Sequence, residues 1–497
     1  MKRLALAGGS LVIIVLAAGA ARQAADAQPF SRSRWIAENI GRLRFSGGVI
    51  PAGQAAVGHS GSIEPIQADP GTLPNFRVSH DIVPGPHGSG QAETQAEPFV
   101  AINPSNPSNL LAGYQDIRFE DGGARALTAA YSIDGGRKWK ETMLPKLTKV
   151  TGGPYDRASD PWVAFGPDNR AYYVSIAFNE TTPKNGVYVN ASTNGGKTFG
   201  RPVEVHVNET SSAFDDKESM VVDSGDGSPF RGYVYVGWDD AGTGIEYVSR
   251  SRDNGTTYEE PVALDTAGNN IGIVMVVASN GTVYAFWNRV LGNEYAVVWA
   301  KSEDGGATWG TPAKVADIRA AGVPDLRTGD GLPMAAIDQN SGALYVVWQD
   351  ARFTTGVDQA VICRSTNGGR TWSAPKRVSD GPSDAPSFTP AVAVTRDGKV
   401  GVAYYSMRND PTRQFLVDHY LAISSDKGKT FAPSIRVSKA TFDVRDAAIA
   451  RGYFLGDYQG IVGGNTVFHP FFIATLKNSA IDSTTKQPDA FASRVTP

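Results

Sequence analysis

The sequence predicts an all-β fold, a β-propeller with four-stranded blades, on three observations. One octapeptide recurs six times, a second string opens each interval between copies, and the chain between them shows almost no helical periodicity. From Phe76 onward short runs rich in Val, Tyr, Trp and Ala alternate with Gly, Asn, Asp and Pro turns, the pattern of many short strands.

The octapeptide copies are Ser132-Ile-Asp-Gly-Gly-Arg-Lys-Trp139, Ser192-Thr-Asn-Gly-Gly-Lys-Thr-Phe199, Ser251-Arg-Asp-Asn-Gly-Thr-Thr-Tyr258, Ser302-Glu-Asp-Gly-Gly-Ala-Thr-Trp309, Ser365-Thr-Asn-Gly-Gly-Arg-Thr-Trp372 and Ser424-Ser-Asp-Lys-Gly-Lys-Thr-Phe431. Their spacings of 60, 59, 51, 63 and 59 residues each hold four strands, one blade. The chemistry is that of a tight hairpin: Asp or Asn accepts from the following amides, Gly takes positive φ, and the last aromatic packs back on the blade.

The second string is an inner strand: Glu97-Pro-Phe-Val-Ala-Ile, Asp160-Pro-Trp-Val-Ala-Phe, Glu218-Ser-Met-Val-Val, Ile271 to Val277, Leu332-Pro-Met-Ala-Ala-Ile and Thr389-Pro-Ala-Val-Ala-Val. A second strand follows each and ends in Tyr114, Phe178, Trp238, Trp287, Trp348 or Tyr405. A seventh inner strand starts at Gly456-Asp-Tyr-Gln-Gly-Ile-Val, in a unit with no octapeptide and no evident fourth strand. Phe76-Arg-Val-Ser79 matches Lys376-Arg-Val-Ser379 and Ile435-Arg-Val-Ser438, which stand at fourth-strand positions, so an N-terminal strand is expected to close a ring of seven blades, with six as the alternative.

Ahead of the propeller, Lys2 and Arg3, an apolar run from Leu4 to Ala20 and Ala25-Asp26-Ala27 predict a signal peptide over residues 1–27 and a secreted or periplasmic protein; a retained anchor is the competing reading. Residues 28–75, rich in Gly, Ala, Pro and Ser, are expected to form a flexible linker with one short helix over 35–43, and residues 76–497 the propeller. The net charge of −3 and the lack of a basic cluster argue against nucleic acid or a membrane surface as partner once the signal is cleaved. Cys363, the single cysteine, excludes an internal disulfide, and the six histidines lack metal-ligand spacing. A monomer without a cofactor is expected, with a structural calcium ion as one reading of the carboxylates described next.

Because strands alternate in direction, strand-one starts and strand-two ends share one rim and the octapeptides lie on the other. That first rim is expected to carry Glu97, Asp160, Glu218, Asp330 and Asp457, with Tyr458 and the arginines Arg118, Arg289, Arg352 and Arg408. Tyr114-Gln-Asp-Ile-Arg118 and Trp348-Gln-Asp-Ala-Arg352 are near repeats, which favours a loop-ordering Asp/Arg pair at both.

The octapeptide resembles the Asp box, and six copies over residues 76–495 resemble the sialidase superfamily, its secreted bacterial Asp-box (BNR) repeat proteins in particular. The resemblance implies an exo-α-sialidase type of glycoside hydrolase acting on terminal acidic sugars of glycans. That family grips the substrate carboxylate with three arginines, uses a Tyr activated by a Glu as nucleophile, and an Asp as general acid/base. Carried over, it implies Tyr458, Glu218 and Asp160 as catalytic residues and Arg289, Arg352, Arg408 and Asp457 as substrate-binding residues. The family's Phe-Arg-Ile-Pro string is absent, and six blades rather than seven are its rule. A non-catalytic glycan- or protein-binding propeller and a polysaccharide lyase are the rival readings.

Overall fold

In the computed structural model the described residues are 30–32, 73–475 and 487–497. The predicted leader and the predicted helix over 35–43 lie outside them. The chain forms successive four-stranded antiparallel units. The first comprises Gln95–Asn103, Asn106–Arg118, Ala124–Ser132 and Lys140–Met143. The strands that open the later units are Arg157–Phe165, Asp215–Val222, Asn269–Val277, Met334–Ile337, Ser387–Val394 and Gly460–Gly463. In the unit opened by Gly460, Phe468–Thr475 and Pro488–Ser493 follow, and Asn75–Arg77 from the N-terminal side adds the outermost strand. Its register pairs Phe76 with Ala492 and Arg77 with Phe491. The bonding continues past it, with the Val78 amide donating to the Ala490 carbonyl at 2.8 Å.

Each opening strand packs against the next, and Gly460–Gly463 packs against both Ser387–Val394 and Gln95–Asn103. Together they surround an axial well of about 580 Å³. The units bury their faces on one another, with Trp238, Trp287 and Trp348 fully buried between them; each side chain of that kind contributes about 1.5–3 kcal/mol. The octapeptide turns follow the expected chemistry. In the first, Ser132 Oγ accepts from the Gly136 amide at 2.9 Å and Asp134 Oδ1 from the Arg137 and Lys138 amides at 3.0 Å. Gly135 and Gly136 there have φ of 74° and 83°.

Within the stretch expected to be a flexible linker, residues 30–32 are docked. Arg32 is buried, its amide donates to Glu180 O at 2.7 Å and its guanidinium to Pro183 O at 2.6 Å, over the Phe214 ring. Cys363 is buried and burial pushes its thiol up to about 12.

Candidate functional site

Strand-one starts carry the same irregularity in unit after unit. Register shifts fall between Ala96 and Phe99, Ser159 and Trp162, and Asp216 and Ser219. The first residue of each bulge has positive φ: Glu97 at 52°, Asp160 at 55° and Lys217 at 48°. A non-glycine residue held there is strained, and such strain gathers at functional sites. The bulge also sets which side chains meet. Lys217, not Glu218, occupies in the third unit the place that Glu97 and Asp160 hold in the first two.

Lys217 Nζ lies 2.9 Å from Glu97 Oε1, 3.0 Å from Asp457 Oδ2 and 3.5 Å from Asp160 Oδ1. Arg327 binds Asp457 with both Nε, at 2.9 Å, and its terminal nitrogen. Gln115 donates to Glu97 and, at 2.9 Å, to Ser159, which donates to Asp160 Oδ1 at 2.9 Å. All these charged groups are buried. Three carboxylates and two cations therefore hold one another out of water, an arrangement whose desolvation cost is offset only by good geometry. Against its own burial, Lys217 keeps the Asp160 carboxyl well below the usual range, while burial and then Asp160 push Glu97 up.

A small three-stranded sheet lies over this cluster. Leu326–Arg327 pairs in parallel with Tyr453–Phe454, which pairs with Ala448–Ile449. The Phe454 ring sits between the guanidinium carbons of Arg118, at 4.9 Å, and Arg327, at 4.5 Å. Beside it opens a pocket of about 40 Å³ lined by Arg118, Arg327 and Arg451 together with Asp160, Asp216 and Asp121. Burial, then the Arg327 guanidinium, lowers Arg451 to about 9. Asp216, hydrogen-bonded to Asp160, is raised well above the ordinary carboxylate range by burial and then by Asp160 itself. The pair holds one proton between an ionised and a neutral partner.

The sequence-predicted residues divide. Asp160 and Asp457 are in the cluster, and Arg118 lines the pocket. Tyr458 is buried with its ring against Phe99 and Trp162, and its hydroxyl donates to Pro161 O at 3.0 Å. Glu218 is buried with neither oxygen hydrogen-bonded. The expected Tyr458–Glu218 hydrogen bond is thus not formed: the bulge displaces Glu218 by one position, and the phenol is already committed to a backbone carbonyl. The expected grip is likewise corrected. Arg289 binds Asp265 at 3.3 Å and Glu294 at 3.1 Å, Arg352 binds Asp350 at 2.7 Å, and Arg408 binds Asp380 at 2.6 Å, so each is held by carboxylates near its own strand end and none lines the pocket.

The two near-repeated strings behave differently. Arg352 pairs with Asp350 as expected, but Ile117 adopts φ of 59° and turns Arg118 inward to Gln115 at 2.6 Å, while Asp116 bonds Gln95 and Thr128. Asp330 stands apart from the Lys217 cluster, bonded to Thr328 at 2.9 Å and to Gln349. Sequence reasoning missed Lys217, Asp216, Arg327 and Arg451. Lys217 and Asp216 were findable by aligning the bulges rather than the acidic residues; Arg327 and Arg451 sit in crossovers with no repeat to expose them. Among the described residues no group of three or more His, Cys, Asp or Glu is arranged to hold a metal ion.

No family model matches the sequence, and no curated protein matches it. Solved structures do resemble it. A Dyadobacter fermentans protein of unknown function aligns at 14% identity over 86% of this chain and 100% of its own, with a TM-score of 0.44. The NanB sialidase of Streptococcus pneumoniae aligns at 13% identity over 85% of this chain and 70% of its own, with a TM-score of 0.41. The α-L-arabinanase of Penicillium chrysogenum aligns at 12% identity over 67% and 92%, with a TM-score of 0.46.

Proposed function

We propose that this chain is an exported, closed seven-bladed propeller that acts as a glycoside hydrolase on glycans ending in an acidic sugar, taking the sugar carboxylate into the pocket of Arg118, Arg327 and Arg451. The observation that carries the reading is the convergence of these three guanidiniums, from three separate segments, on a pocket that also holds the Asp160–Asp216 pair. A planar guanidinium matches a carboxylate bidentately, and a volume of about 40 Å³ admits a group of that size. Neighbouring carboxyls whose environments push them apart supply a proton donor and an ionised partner, the division of labour that glycoside cleavage needs. Asp216 is the proton donor in this reading and Asp160 its ionised partner. Tyr458, tied to Pro161 O, serves as packing beneath them. Seven blades are supported by the mutual packing of the opening strands, and closure by the pairing of Asn75–Arg77 with Ala492 and its neighbours.

A non-catalytic glycan-binding role is favoured by one specific observation, the pairing of Arg289, Arg352 and Arg408 with protein carboxylates. Purified mature protein offered a panel of sialosides and glucuronides separates the two. Sugar release, lost in Asp216→Asn, supports the hydrolase, and saturable binding without release supports the binding module. In either case Arg451→Ala should weaken affinity for the acidic sugar by about tenfold or more, as expected for one charge-assisted contact of 1.5–3 kcal/mol. Affinity unchanged in Arg451→Ala at unchanged stability sinks the pocket assignment.

A further inference from the structure

The residue before each octapeptide stands opposite the second strand of its own unit, and in three units it is a cation facing a tyrosine. Tyr235 pairs with Arg250, Tyr284 with Lys301 and Tyr345 with Arg364. The last unit keeps this register without an octapeptide. Phe471 opposite Ala492 and Phe468 opposite Val495 set His469 opposite Arg494. In the three earlier units the cation is satisfied. Arg250 binds Glu259 at 2.8 Å and donates to Gly305 O, in the next unit's turn, at 2.8 Å. Lys301 binds Glu303 at 2.7 Å, and Arg364 donates to Lys427 O, again in the next turn, at 3.2 Å.

Arg494 meets a different situation at the first unit's turn, residues 132–139. There Arg137 Nη1 already donates to Asp134 O at 2.7 Å, the carbonyl equivalent to Asp304 O, which Arg250 approaches at 3.5 Å. Arg494 Nε is left buried without a hydrogen bond, and no carboxylate among the described residues pairs with the side chain. Asp134 itself is committed to the Ser132 hydroxyl at 2.9 Å and to the Arg137 and Lys138 amides at 3.0 Å. His469 is 5% exposed, and its Nδ1 has no partner either. The three side chains converge on one turn. A Cβ on Gly135 would lie 3.7 Å from Arg137 Nη1 and 4.0 Å from Arg494 Nε, and one on Gly136 would lie 3.4 Å from His469 Nδ1. Burial, then Arg494 and Arg137, lowers His469 to about 4, and burial, then Arg137, lowers Arg494. We propose that Arg137, Arg494 and His469 bind a tetrahedral oxoanion, a free phosphate or sulfate or a sulfate ester on a glycan, where the last unit meets the first. A guanidinium presents parallel N–H groups to two oxygens of such an anion, whose charge would offset the repulsion between the two arginines. The octapeptide turns lie at the end of each unit away from the Arg118 pocket, so this site stands independently of that one.

The His469 ring reports on the site locally. Its proton NMR signals, assigned with His469→Gln, should move along a saturable curve when sulfate or inorganic phosphate replaces chloride at constant ionic strength. An anion beside the imidazole favours its charged form, so saturating sulfate should raise the His469 titration midpoint above about 4. Arg494→Gln and Arg137→Gln should each raise the half-saturating sulfate concentration by about tenfold, the loss of one charge-assisted contact. Arg451→Ala, in the other pocket, should leave the His469 response as it is. N-acetylglucosamine 6-sulfate separates the two sources: a response to it as well as to the inorganic ions supports the site with a sulfated glycan as ligand, and a response to the inorganic ions alone supports it with the free ion. A linear drift without saturation, which is a general salt effect, overturns the site, as does an unmoved midpoint or a half-saturation unchanged in both arginine variants. Should those variants fail to fold, the saturation curve and midpoint of the wild type decide.

Discussion

At the scale of single residues, the buried carboxyls away from the pocket set how stability depends on pH. Burial pushes Asp116 up to about 7 against the hydrogen bonds of Gln95 and Thr128, and Asp489 up to about 6 against Arg77. An unfolded Asp titrates near 3.9, so for these groups the folded state binds the proton more tightly. Their contribution is complete below about pH 4 and is lost as pH rises through 6 to 7. Asp116→Asn removes one of these titrations. The variant should gain on the wild type by about 2–4 kcal/mol between pH 4 and pH 8, read from urea unfolding at the two values. Parallel pH profiles for the two proteins would contradict this assignment. The octapeptide acids work the other way: against a burial penalty, the Thr308 hydroxyl and amide hold Asp304 at about 2, so these turns keep their charge across the same range.

At the scale of elements, the repeated turns and the bulged strand starts have separate jobs at opposite ends of each unit. Gly305 has φ of 69°, and a Cβ there would lie 2.6 Å from the Phe230 ring; Gly368 has the same φ, with the nearest atom, the Tyr284 hydroxyl, at 3.3 Å. Gly368→Val should cost the strain alone, about 1–3 kcal/mol, and Gly305→Val more, because the phenyl ring must also move. Thermal unfolding would rank them, and equal losses would show that the ring yields freely. Acidic-sugar binding should be unchanged in both. The repeat made these turns legible in the sequence, since Ser, Asp or Asn and Gly recur at fixed spacing and their hydrogen bonds are local. The inner strands were legible for the same reason. The contents of the site were not. A bulge shifts the axial position by one residue, so aligning Glu218 with Glu97 and Asp160 by charge passed over Lys217. Whether an arginine turns inward, like Arg118, or pairs beside itself, like Arg352, depends on the φ of one preceding residue, Ile117 in the first case. Cap residues such as Arg327 and Phe454 meet only through a parallel pairing of two distant crossovers.

At the scale of the whole molecule, Asn75–Arg77 covers the edge of Pro488–Ser493. Arg77 and Ser79 both bind Asp489, at 2.9 Å each, and Ala490 returns its amide to Ser79 at 2.8 Å. An edge stripped of that cover is a template for pairing with another chain. A protein lacking residues 73–80 should therefore melt lower and associate in a concentration-dependent way by light scattering, whereas a monomer of unchanged melting temperature would show that the strand is dispensable. The same contact also orders events in time. Arg77 and Asp489 lie 412 positions apart, so the strand made among the first must wait for the segment made among the last, and loop closure over that length is slow. A ribosome delivering this chain from its N-terminus releases units that can pair internally at once, yet Asn75–Arg77 stays unpaired until Pro488–Ser493 emerges. Until then both free edges stay open to a chaperone or to a neighbouring copy.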